Sequence, residues 1–155
     1  MSNSIRTIMR VAGDRIRPGD AWMLNSPYQG GTHLPDVTVV TPVFMDGAPR
    51  FWLGSRGHHA DIGGRTPGSS PPDSRHIEEE GVVIDPFLLV EQGHLRDAEA
   101  RALLASGRYP CRNVMQNMAD LKAQVAANEK GRRELLRAAE NWGANTLAAY
   151  AGHVQ

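Results

Sequence analysis

The 155-residue chain balances 17 Lys+Arg against 17 Asp+Glu, so no global field recruits nucleic acid, an anionic membrane surface or a strongly charged substrate, and any function is local. Its single cysteine, Cys111, excludes an internal disulfide framework and a cysteine-based zinc pattern, and it fits a reducing cytoplasm. The length suits one domain, and neither a secretory leader nor an apolar run able to span a bilayer is expected.

Ile5, Ile8, Met9 and Ala12 fall at helical spacing and predict a short amphipathic helix that ends before Pro18-Gly19-Asp20. Ala21 to Leu24 reads as a short strand, followed by an irregular loop from Asn25 to Pro35 that contains nearly every turn-forming residue type. The β-branched run Asp36 to Phe44, the turn Asp46-Gly47 and the segment Arg50 to Gly54 predict a hairpin, with Pro42 marking its first strand as an edge or bulged strand. Ser55 to Arg75 reads as a loop longer than simple connection requires. Gly81 to Val90 suggests a strand pair or a strand bent at Asp85-Pro86.

After Gly93 the composition turns helical. Arg96 to Ser106 predicts a helix stopped by Gly107 and Pro110, and Asn113 to Asn141 a long one with Met118, Leu121 and Val125 on one stripe. Gly131 within it marks a break or a close packing point, and Thr146 to Tyr150 adds a further helical turn. The fold class expected is α+β: antiparallel hairpins with long glycine-rich loops over 1–92, long helices over 93–155.

The chemistry concentrates in two glycine-bordered stretches. His33 and Asp36 lie in GGTHLPD, and His58, His59 and Asp61 in RGHHADIGG. Neutral imidazole and carboxylate are the ligands that Mn²⁺, Fe²⁺ or Zn²⁺ select, and a site needs three or more converging. The predicted hairpin supplies convergence, because the loop before its first strand and the loop after its second emerge at the same end. Each residue taken alone reads first as an ordinary loop polar, a carboxylate capping a turn or a histidine bonded to backbone, and only the paired arrangement favours a site. No HExxH, Walker, GxGxxG or GxSxG pattern supports another assignment. Arg56 could grip a carboxylate or phosphate or sit in a surface ion pair. The run Glu78, Glu79, Glu80 reads mainly as a solvated turn that could supply one more ligand or base. Cys111 lacks an evident base partner and reads as a small hydrophobe.

The strings LNSPY (24–28), GGTHLPDVTVVTPVF (30–44), SRGHHADIGG (55–64), IEEEGVVID (77–85), SGRYPCRN (106–113) and NMADLKAQVAANEKG (117–131) together resemble the hydantoinase B/oxoprolinase family over nearly the whole chain. That resemblance implies a part of a metal-dependent, ATP-coupled hydrolase opening a cyclic amide such as 5-oxoproline or a hydantoin. It implies a divalent metal (Mn, Fe or Zn) on His33, Asp36 and His58, with His59 and Asp61 next, offered for catalysis as a general base, or as a further ligand or a partner of the ligands. It places ATP on a separate hydantoinase A-type subunit or domain, and it implies a small-molecule substrate, a cytoplasmic setting and an oligomer. Members of the family are several times longer, so the chain is expected to be a fragment of a larger domain. Ser26 stands where many relatives carry Asp. The alternatives are a non-catalytic remnant or assembly module, or a related ketone carboxylase subunit.

Overall fold

A computed structural model describes residues 1–153 as a five-stranded antiparallel sheet covered by helices on both faces. The elements are α1 (Ser2–Ala12), β1 (Ala21–Leu24), β2 (Asp36–Met45), β3 (Ala48–His58), β4 (Phe87–Glu91), β5 (His94–Leu95), α2 (Asp97–Leu104), α3 (Val114–Trp142) and α4 (Ala144–His153). The strand order is β3-β2-β1-β4-β5. An α+β architecture with strands first and long helices last is thus present, with α1 on the near side of the sheet.

Alternation along β1 explains the two layers, since successive side chains point to opposite faces. Trp22 and Leu24 join Val40 and pack against Ile8 and Ala12 of α1. Met23 joins Val37, Val39 and Leu89 on the other face, against Ala100 and Leu104 of α2 and Met118 and Leu121 of α3. A strand buried on both faces loses the polar/apolar alternation of a half-exposed one, and all four residues of β1 are buried.

Of three expectations, the one at Pro42 is met by its bulge and not by an edge, and two change. β2 is flanked by β1 and β3 and is not an edge strand, but its pairing with β1 ends at Val40. Pro42 therefore sits where β2 has a neighbour on one side only, and the register shifts just beyond it, between Val43 and Phe44. The segment Gly81 to Ile84 is not a strand: it is buried coil, with Val82 N–H donating to Ile62 O at 2.8 Å. The loop expected from Ser55 begins after His58, because β3 carries the pairing to the end of the hairpin. Gly131 does not break α3. A Cβ there would come within 3.3 Å of Leu53 on β3, so glycine marks a close packing point.

Candidate metal centre

β2 begins at Asp36 and β3 ends at His58, and these two residues are directly opposed in the ladder. The hairpin is closed by Asp46 (φ 54°) and Gly47 (φ 78°), the left-handed pair that a two-residue turn requires. Before β2, Asp36 N–H donates to His33 O at 2.8 Å, turning the chain so that His33 comes back beside Asp36. Just upstream, Gly31 N–H donates to Ser26 O at 2.8 Å, and only glycine lets the loop pass there, since a Cβ would stand 1.9 Å from the Asn25 carbonyl oxygen.

His33, Asp36 and His58 meet. One donor atom from each lies within 4.8 Å of the other two, and the two imidazole rings are 5.7 Å apart between centroids. Two ligands on one ion stand no more than about 4.4 Å apart when each metal–ligand distance is about 2.2 Å. The donors therefore stand at about the spacing that a shared divalent cation needs, and two imidazoles with one carboxylate suit Mn, Fe or Zn. His58 Nδ1–H donates to Asp36 Oδ1 at 2.8 Å, and this bond holds the Asp36 carboxyl below its usual range, helped by the Thr32 hydroxyl. His33 Nε2 lies 3.4 Å from the Ser69 carbonyl oxygen. The His58 side chain is 63% exposed and that of Asp36 28%, so the group opens to solvent on one side.

His59 and Asp61 are not brought into this group. His59 follows His58 immediately and turns to the other face, where it is 1% exposed. Asn117 of α3 donates to its Nδ1 at 3.0 Å and its Nε2–H faces Gln124 Oε1 at 3.3 Å. Burial lowers its pKa and keeps the ring neutral. Asp61 accepts from the Gly63 and Arg112 backbone N–H groups at 3.1 and 2.8 Å and from the Arg112 guanidinium at 2.5 Å. Burial works to raise its carboxyl, but these donors outweigh it and hold the group below the ordinary carboxylate range.

The other candidates resolve simply. Glu79 caps its own short turn by accepting from Arg75 and His76 N–H, and Glu80 accepts from Ser74 Oγ. Burial pushes the Cys111 thiol up to about 12, which leaves it inert. Arg56 makes three hydrogen bonds to hydroxyls, those of Thr38, Thr32 and Ser4. Thr32, Asn117 and Gln124 were not singled out by sequence. The available signal was two amides, Asn117 and Gln124, on the same helical stripe as Met118 and Leu121.

Comparison with known proteins gives one consistent kinship. The family model for hydantoinase B/oxoprolinase matches residues 1–155. The 5-oxoprolinase of Dictyostelium discoideum is 41% identical over 155 residues, covering 100% of this chain and 12% of that protein. The caprolactamase subunit beta of Pseudomonas jessenii is 35% identical over 146 residues, covering 94% of this chain and 24% of that one. A crystal structure of the ATP-dependent caprolactamase from Pseudomonas jessenii superimposes with a TM-score of 0.83 at 32% identity, covering 94% of this chain and 24% of that one. The chain thus spans between an eighth and a quarter of the length of these relatives.

Proposed function

The chain belongs to the hydantoinase B/oxoprolinase family, and from that premise we propose that it is part of a metal-dependent, ATP-coupled hydrolase that opens a cyclic amide of the 5-oxoproline or hydantoin type. The observation that carries the reading is the convergence of His33, Asp36 and His58 at one end of the β2–β3 hairpin. The names of its relatives, a 5-oxoprolinase and an ATP-dependent caprolactamase, support the substrate class. The relative named as a subunit beta supports action beside a second subunit, to which we assign ATP as a hydantoinase A-type partner working in the cytoplasm.

In this reading His33, Asp36 and His58 hold a Mn, Fe or Zn ion. When bound, such an ion supplies Lewis acidity, polarising a carbonyl oxygen and acidifying water. Asp36, an aspartate whose carboxyl the His58 bond holds below its usual range, coordinates without first losing a proton at neutral pH or in mild acid. The exposed side of His58 leaves room for a ring amide to approach from solvent. His59 and Asp61, the two residues the sequence offers for catalysis, act here as positioning groups. His59 fastens the end of β3 beneath α3, and Asp61 fastens the following loop to Arg112.

Metal analysis of the purified chain tests the reading. The expected result is one Mn, Fe or Zn per chain, lost in His33→Ala and His58→Ala while the circular dichroism spectrum is kept. A folded, metal-free wild-type chain after loading with each ion in turn would overturn it.

A further inference from the structure

Thr38 stands opposite Arg56 and Asp36 opposite His58 in the β2–β3 register, so all four side chains lie on one face of the hairpin, the face that α1 covers. The Arg56 guanidinium is anchored from below by two hydroxyls that are fully buried: Nε donates to Thr38 Oγ1 at 2.8 Å and Nη2 to Ser4 Oγ of α1 at 3.2 Å. Its remaining terminal nitrogen, Nη1, donates to Thr32 Oγ1 at 3.4 Å. The Thr32 hydroxyl, thus filled as an acceptor, points its own proton at Asp36 Oδ2, 3.2 Å away. Oδ1 of the same carboxylate is the oxygen that meets His58. Ser4 Oγ completes the frame by donating to Gly30 O at 2.7 Å, at the start of the turn that carries Thr32 and His33.

We infer that Arg56 and Thr32 form a positioning relay that fixes the rotation of the Asp36 carboxylate, so that Oδ2 is tethered and Oδ1 is presented to His33 and His58. The inference rests on the metal reading and deepens it. A carboxylate free to rotate loses that freedom on binding an ion, whereas one already tethered through its far oxygen does not. Only the planar fork of arginine reaches Thr38, Ser4 and Thr32 at once; a lysine ammonium at the same position cannot hold all three. The side chain at 56 is therefore a bracket between α1 and the site, with a hydroxyl as its last link.

The test is the manganese(II) affinity of the full 155-residue chain, followed by the electron paramagnetic resonance signal of free Mn²⁺, alongside thermal melting. Thr32→Val is expected to weaken binding about tenfold or more, the range seen when a partner of a metal ligand is removed. Thr32→Ser, which keeps the hydroxyl, restores it, and Arg56→Lys weakens it comparably to Thr32→Val. A purely structural Thr32 would shift the melting temperature and leave the affinity of the folded chain unchanged. A Thr32→Val chain that binds manganese as the wild type does overturns the relay. A wild-type chain that binds none overturns the metal reading as well, and the two failures separate because in the first the wild type still binds manganese and His33→Ala does not.

Discussion

Asn25 shows how much one side chain can organise. Fully buried at the end of β1, it donates to Leu34 O at 2.8 Å and Val82 O at 2.9 Å and accepts from Ile84 N–H at 2.6 Å. It thereby joins the loop that carries His33 to the buried coil at 82–84. Asn25→Ala strands three buried backbone groups and is expected to lower stability by roughly 3 kcal/mol in urea denaturation. Cys111 offers a second check, since its thiol is pushed up to about 12. Iodoacetamide at pH 8 should leave it unmodified in the folded chain and alkylate it once urea is added. At this scale the convergence of His33, Asp36 and His58 was legible and the roles of their neighbours were not. His58 and His59 look equivalent as a pair of adjacent imidazoles, and only strand periodicity, which sends consecutive side chains to opposite faces, separates the exposed one from the one beneath α3. Nothing in the local string announces that Asp61 is claimed by Arg112, 51 positions away.

Among the elements, α3 departs furthest from its sequence pattern. Its stripe of Met118 and Leu121 packs on the sheet as expected, but the same face carries Asn117, Gln124 and Asn128, all buried. Gln124 donates to Val37 O at 2.9 Å and Asn128 to Val39 O at 3.1 Å, so amides of the helix bond directly to carbonyls of β2. Gln124→Ala should cost about 1–3 kcal/mol by leaving the Val37 carbonyl and His59 Nε2 without this partner, read as a lowered urea midpoint with an unchanged m-value. Strands and helices were readable because period 2 and period 3.6 are local properties. Gly81 to Ile84 misleads for the same reason: its apolar run records burial by distant partners such as Ile62 and Asn25, and burial alone does not make a strand. The bulge beside Pro42 was foreseen, but the central place of β2 was not, because strand order is a long-range property.

For the molecule as a whole, many acids are tied to bases. Arg101 holds Asp97, Arg132 holds Glu129 down to about 2, and Lys130 holds Glu134 below the ordinary range. A carboxyl with a depressed folded-state pKa favours the fold fully above its unfolded value near 4. That contribution is lost as pH falls through the folded value. Thermal melts should therefore be level from neutral pH to about 5 and fall between about pH 4 and 2, the fall shrinking in high salt because these pairs are largely exposed. No described helix is long and apolar enough to cross a membrane. Trp142 is nonetheless 66% exposed and Tyr150 69%, on the α3–α4 corner. Sedimentation of the chain should show concentration-dependent association that Trp142→Ser with Tyr150→Ser relieves.

The ladder between Asp36 and His58 has one more implication, for the order of events in folding. Because all three side chains come from 26 consecutive residues, the β2–β3 ribbon with its leading flank, bringing them together requires only a short loop to close, whereas α3 must return from nearly 90 positions away to clamp Val37 and Val39. Nascent chain leaving a ribosome would thus have the makings of the proposed ion cage in hand well before the helix that steadies it has been synthesised.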